Sequence, residues 1–291
     1  MDFLRPLTWA DALAAKAAHP GATPIQGGTD VMVEINFDAR RPEALLDLTS
    51  VPELTEHETL EDGTLRVGAG VPYARLIADL GDRLPGLAQA ARTVGSPQIR
   101  NRGTAGGNLG AASPAGDCHP PLLASDAVVE AESSARGTRL IPAAEFYLGV
   151  KRNALEPDEL IRAIRTAPAS GPQYFSKIGT RNAMVIAVCS FAIALHPGER
   201  RVGTGVGSAA PTPRRATAAE EYLSGELDWD GRGPLPDPVA RRFGELVREA
   251  AAPIDDVRGT ADYRRHALAV LARRTLAWAW NDHRATREEA S

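Results

Sequence analysis

Two clusters of glycine hold the residues of this sequence best suited to chemistry. The first is Ile25-Gln26-Gly27-Gly28-Thr29-Asp30, and the second is Arg102-Gly103-Thr104-Ala105-Gly106-Gly107-Asn108. Consecutive glycines let successive backbone N–H groups turn toward one point with no Cβ in the way. Such a concave nest suits a phosphate, and a helix that starts just beyond it adds a favourable dipole. Thr29, Thr104 and Asn108 offer side-chain donors beside the glycines. Two loops of this kind would wrap the two phosphates of a dinucleotide. A Gly-Gly pair is also a common turn, and neither cluster fits the GxGxxG or P-loop pattern. The residues by themselves therefore reach as far as anion-binding loops.

Other reactive side chains carry less. The histidines at 19, 57, 119, 196, 266 and 283 show no metal spacing, and Cys118-His119 lacks further ligands. Two cysteines, Cys118 and Cys189, support neither a disulfide framework nor an iron–sulfur cluster, so any such cluster belongs to another polypeptide. Ser113 lacks the glycines of a nucleophile elbow. No catalytic residue and no metal site is expected in this chain.

The elements that must position the loops follow from periodicity and punctuation. The first sixty residues read as a small α/β unit: a helix from about Thr8 to Ala18, a strand at Thr23-Pro24-Ile25, an apolar run from Val31 to Phe37, and a strand at Leu45 to Leu48. A second unit opens with a strand at Leu65-Arg66-Val67, with helices near Tyr73–Leu80 and Leu87–Thr93. A long glycine-rich loop is expected from Gly95 to Gly116, then a strand at Val128 to Ala131. The uncharged strip from Thr166 to Pro172 reads as a linker. Beyond it, Val185 to Leu195 reads as a buried strand, paired across a turn with Arg201–Ser208. From Asp262 to Asn281 the pattern predicts a helix with Tyr263, Ala267, Val270, Leu271, Ala277 and Trp278 on one face. Arg264-Arg265 and Arg273-Arg274 are expected on its solvated or subunit-facing side. The fold class is α+β.

With 291 residues, 43% of them apolar, the chain is long enough for two domains with substantial cores. A net charge of −4 with mixed signs argues against a nucleic-acid surface. The N-terminus shows no leader pattern, and the longest uncharged apolar run, Ala183 to Leu195, is too short for a bilayer, so no membrane span and a cytoplasmic location are expected.

A resemblance extends this reading. Gly95-Ser96-Pro97-Gln98-Ile99-Arg100-Asn101-Arg102-Gly103-Thr104-Ala105-Gly106-Gly107-Asn108-Leu109 resembles the signature loop of the FAD-binding (medium) subunits of the xanthine dehydrogenase and carbon monoxide dehydrogenase family of molybdenum hydroxylases. The family pattern continues with Asp117, Pro120 and Leu123-Ala124-Ser125-Asp126-Ala127. Gln26-Gly27-Gly28-Thr29-Asp30 resembles the family's first FAD loop, with Gln26 where alanine is usual, a mild departure at a position that contributes backbone. Phe175-Ser176-Lys177-Ile178-Gly179-Thr180-Arg181 resembles the segment whose lysine and aromatic residues lie beside the flavin. Gly205 to Ala216 is similar to the family's C-terminal domain. The likeness runs from about Phe3 to Trp278.

The resemblance implies a two-part FAD-binding domain of the vanillyl-alcohol-oxidase-like type at 1–167, with subdomains of about 1–58 and 59–167. A C-terminal α+β domain, an antiparallel sheet with helices, would span 173–285. The backbone of Gln26, Gly27, Gly28, Thr29 and Asp30 and that of Thr104, Ala105, Gly106, Gly107 and Asn108 would hold the pyrophosphate of FAD. Asp117 would bond the ribityl or ribose part, Leu160 or Ile161 would pack near the adenine or the ring, and Lys177 would approach the isoalloxazine. The implied partners are a large molybdopterin subunit and a small subunit with two [2Fe–2S] clusters. Electrons would pass from those clusters through this FAD to NAD⁺, O₂ or another acceptor, and xanthine-like purines are the first substrate class considered, with carbon monoxide, aldehydes and N-heterocycles left open. The rival readings are a stand-alone FAD oxidase, which needs an acid/base residue not evident here, and an adaptor that has lost FAD, which the intact glycines oppose.

Overall fold

The computed structural model describes residues 1–231 and 233–289. The chain opens with a three-stranded parallel sheet of order β1-β3-β2, built from β1 (Asp2–Leu4), β2 (Thr23–Ile25) and β3 (Ala44–Asp47). All four residues of β3 are buried, as a parallel strand covered on both faces requires. Helix α1 (Trp9–Ala18) starts where expected, because the Thr8 hydroxyl accepts the Asp11 N–H at 3.1 Å. The apolar run after the first glycine pair is a short helix, α2 (Val31–Asn36), with no buried residue.

A five-stranded antiparallel sheet forms the second part. Strands β4 (His57–Thr59) and β5 (Leu65–Gly68) lead into α3 (Tyr73–Leu80), α4 (Pro85–Thr93), α5 (Pro97–Arg102), α6 (Ala105–Ala111) and α7 (His119–Ala124). Strands β6 (Val128–Ser133) and β7 (Gly137–Pro142), helix α8 (Ala143–Phe146), a small hairpin of β8 (Tyr147–Gly149) and β9 (Arg152–Asn153), and β10 (Leu160–Thr166) follow. The sheet order is β4-β5-β10-β6-β7. One core, running from Trp9 to Ile164, unites both sheets.

The stretch 95–116 is not the long loop expected from its glycines; it holds α5 and α6. The reason is local capping: Ser96 accepts the Ile99 N–H ahead of Pro97, and Thr104 accepts the Gly107 N–H at 2.8 Å.

After residues 167–172, β11 (Gln173–Ile178), β12 (Cys189–His196) and β13 (Arg201–Gly207) form an antiparallel sheet in that order. Helices α9 (Thr217–Glu226), α10 (Asp237–Ala250) and α11 (Ala261–Glu289) cover it over a second core, from Cys189 to Trp280. The buried strand starts at Cys189 and not at Val185, since β11 and β12 pair only as far as Ile178 and Cys189, leaving 179–188 as a loop. Gly203 and Gly205 of β13 face α7 so closely that a methyl would sit 1.9 Å from the Ala124 oxygen and 2.0 Å from that of Pro120. Ala90, Ala124, Phe175, Ala192 and Ala194 complete this joint between the two parts.

The buried stripe of α11 also differs from the expected face. Of the expected face, Ala267 and Leu271 are buried but Tyr263 and Trp278 are exposed, and Arg264, Leu268, Ala272, Thr275, Leu276, Ala279, Trp280 and His283 are buried as well. Arg264 turns inward because its guanidinium donates to the Ser208 oxygen at 2.7 Å and pairs with Asp256 at 2.5 Å. Arg273 and Arg274 are exposed, as anticipated. Among the described residues no helix is long and apolar enough to cross a membrane.

Candidate functional site

Both glycine clusters open onto one cavity of about 1260 Å³. The first cluster follows β2 and precedes α2; the second spans the turn from α5 into α6. They meet backbone on backbone: a methyl on Gly27 would lie 2.2 Å from the Arg102 oxygen. The N–H groups of Gly27, Gly28, Thr29 and Asp30 find no acceptor among the described residues. In the second cluster, Gly107 N–H donates to Thr104 Oγ1 and Asn108 N–H to the Thr104 oxygen. That leaves Gly106 without an intrahelical acceptor in the first turn of α6, while the bridge between Pro72 and Thr104 turns Ala105 N–H toward Val71.

The two glycines of the second cluster differ in role. A methyl on Gly106 would sit 2.5 Å from the Ala69 oxygen, so this glycine lets α6 pack against the end of β5. A methyl on Gly107 would meet only Thr104 Oγ1, at 3.1 Å, and otherwise stand in the open. Asn108 accepts the Cys118 N–H at 3.3 Å and so braces the turn before α7.

The cavity gathers Gln26, Gly27, Gly28, Thr29, Asp30, Thr104, Gly106, Gly107, Asn108, Asp117, Leu160 and Ile161 on its walls. Ala105 and Lys177 stand behind the lining. Leu160 and Ile161, at the start of β10, are both buried beneath it. Gln26 contributes more than backbone, because its carboxamide reaches toward Gly70 and leaves a buried Oε1 with no partner.

Asp117 is buried, and its Oδ2 takes Lys177 Nζ at 2.5 Å and Thr93 Oγ1 at 2.9 Å. Burial raises its carboxyl above the usual range, against the opposing pull of Lys177 and Thr93. Its Oδ1 has no partner among the described residues. Behind it, Tyr147 hydroxyl and His119 Nδ1 lie 2.9 Å apart. Burial holds His119 down at about 3 and pushes the Cys118 thiol up to about 12, so both are neutral. Among the described residues no group of three or more His, Cys, Asp or Glu could hold a metal ion.

Sequence reasoning missed contributors in three places. Thr93 gave no signal beyond closing α4. Met184, Val185 and Ile186 line the cavity from the 179–188 loop, hidden in an apolar run that reads as strand. Lys151, in the β8–β9 turn, pairs with Glu34 of α2, and both line the cavity.

Free backbone N–H groups on glycine, partnerless buried oxygens and apolar walls fit an elongated ligand with an anionic centre and flat apolar ends. Similarity to known proteins points the same way. A family profile described as "FAD binding domain in molybdopterin dehydrogenase" matches residues 1–167, and one described as "CO dehydrogenase flavoprotein C-terminal domain" matches 174–279. The xanthine dehydrogenase FAD-binding subunit of Escherichia coli O157:H7 is 32% identical over 287 residues, 95% of this chain and 94% of the relative. Caffeine dehydrogenase subunit beta of Pseudomonas sp. (strain CBB1) is 30% identical over 286 residues, 95% of this chain and 93% of that one. Among solved structures, reconstituted CO dehydrogenase from Oligotropha carboxidovorans aligns with a TM-score of 0.89 at 27% identity, covering 97% of this chain and 98% of the other.

Proposed function

Because the chain belongs to the family of FAD-binding subunits of molybdenum hydroxylases, we propose that it is the FAD-carrying electron-transfer subunit of such a complex. FAD, when bound, supplies both hydride and one-electron chemistry, which suits a relay between clusters and a soluble acceptor. In this reading the small partner brings two [2Fe–2S] clusters and the large one the molybdopterin. NAD⁺, O₂ or another acceptor takes the electrons. The names of the relatives, xanthine and caffeine dehydrogenase, favour a purine-type substrate for the whole complex.

The observation that carries the reading is the meeting of two glycine turns with unpaired N–H groups on one cavity. In it, Gly27 to Asp30 donate to one phosphate and Gly106 to the other, with Ala105 supporting the turn from behind the lining. Thr104 and Asn108 hold the second turn in shape. Asp117 receives a ribityl or ribose hydroxyl, and Leu160 and Ile161 pack against a flat ring.

The test is purification of the full chain, alone and co-expressed with the two partner genes. Yellow protein with flavin absorption that co-purifies with both partners supports the reading. A colourless chain that refuses added FAD points to an adaptor. A yellow chain that oxidises a substrate unaided points to a stand-alone oxidase.

A further inference from the structure

A helix that crosses between two parallel strands ordinarily packs its apolar face on their sheet. Helix α2 makes the crossover from β2 to its parallel neighbour β3, and it does not. Four of its six residues are apolar, yet none is buried, and Val33 is 51% exposed. Val31, Val33 and Glu34 line the cavity. The helix therefore stands over the cavity, and no core holds it down. Left-handed backbone lies at both of its ends, with φ of 75° at Gly28 and 57° at Asp38, where the chain changes direction.

One ion pair ties α2 to the part built on the five-stranded sheet. Lys151 Nζ, from the β8–β9 turn, donates to Glu34 Oε1. Among the described residues, no other side-chain hydrogen bond or ion pair of α2 leaves the crossover, since the second cation on Glu34 is Arg40, at 3.5 Å. Lys151 is itself fixed, because its backbone N–H donates to the Ala112 oxygen at 3.1 Å, just past α6. The turn thus reaches from the end of α6 to α2, and Lys151 and Glu34 both line the cavity. With the Lys151 side chain 58% exposed and that of Glu34 22%, the pair is solvent-screened and readily broken.

We propose that α2 is a flap over the cavity and that the Lys151–Glu34 pair is its latch, which must open for FAD to enter or leave. The proposal rests on FAD being the occupant of the cavity. Opening turns α2 about Gly28 and Asp38 and leaves the core of this part untouched, because α2 contributes nothing to it. A latch differs from a ligand contact in its kinetics. It holds in the empty and the loaded chain alike, so breaking it eases entry and exit together and leaves the affinity unchanged. Losing a contact to FAD speeds release alone.

FAD uptake and release are followed in the full chain by flavin fluorescence in stopped flow. Lys151→Met and Glu34→Gln should each speed both steps by about two- to fivefold, the range of an exposed ion pair, and leave Kd within about twofold. Exchanging the charges, Glu34→Lys with Lys151→Glu, should restore the slow rates. Salt near about 1 M should erase most of the difference between the natural chain and the single variants. Tryptic cleavage after Arg40, inside the crossover, supplies a readout without FAD. It should be about two- to fivefold faster in Lys151→Met, because the open flap is more populated. Faster release alone, with Kd rising to match, overturns the proposal, since the pair would then hold FAD itself. Unchanged FAD rates overturn it as well, whatever the cleavage does. If no form of the chain takes up FAD while Lys151→Met is still cleaved faster, the cavity assignment has failed and the latch stands.

Discussion

Gly106 and Gly107 are neighbours in sequence yet face different constraints, and substituting them separately tests the cavity reading. A side chain on Gly107 meets only Thr104 Oγ1, at 3.1 Å, and projects toward the cavity. Valine there costs the helix little, since glycine is itself the poorer helix former by a few tenths of a kcal/mol. It does occupy the space through which a phosphate would approach the first turn of α6. Losing one hydrogen bond to a charged group costs about 1.5–3 kcal/mol, so Gly107→Val should weaken FAD by roughly ten- to hundredfold with an unchanged apo melting temperature. Gly106 is the opposite case. Its added methyl falls 2.5 Å from the Ala69 oxygen and 2.6 Å from Ala69 Cα and Cβ, none of which can swing aside. Gly106→Ala therefore overpacks α6 against β5 and should lower apo stability by about 1–3 kcal/mol. The two variants are compared by fluorescence titration with FAD and by thermal melting without it. Full FAD affinity in Gly107→Val, or identical behaviour of both variants in both assays, would refute the division of roles.

Three other expectations concern separate parts of the molecule. Burial holds His119 at about 3 in the fold against an unfolded value near 6.5, so the unfolded chain binds the extra proton. The stability tied to its neutral form is complete above about pH 6.5 and is lost as pH falls toward 3, at up to ~1.4 kcal/mol per pH unit; His119→Gln should melt with a shallower acid slope. Glu220, buried in α9, accepts the Thr204 N–H at 2.8 Å and its hydroxyl at 2.7 Å. Glu220→Ala should destabilise the C-terminal part by about 1–3 kcal/mol in urea unfolding, and a neutral result would mean that water replaces both bonds. Lys151 is largely exposed where it pairs with Glu34 over the cavity, so Lys151→Met should speed FAD release by less than about fivefold in stopped flow. A hundredfold change would instead assign Lys151 to the phosphates.

Local signals made much of the fold legible. Thr8 ahead of an alanine-rich helix and a short apolar strand such as Leu45-Leu46 need only their neighbours to be read, and both stand where the sequence puts them. The stretch from Gly95 to Gly116 misled because its glycines masked two capping signals, Ser96-Pro97 and Thr104, that were present all along. Val185 to Val188 misled for another reason: an apolar run looks the same whether it packs in a sheet or walls a cavity, and only the pairing of Ile178 with Cys189 tells them apart. The same limit governs the site. That glycine pairs matter could be read from Gly27-Gly28 and Gly106-Gly107, but what each glycine is for depends on the peptide opposite it. For Gly27 that is Arg102, for Gly106 it is Ala69, and for Gly107 it is the cavity. Lys177 teaches the same lesson about charge. A lysine beside a flavin suggests a cation acting on the ring, yet sixty residues away in sequence Asp117 takes that charge.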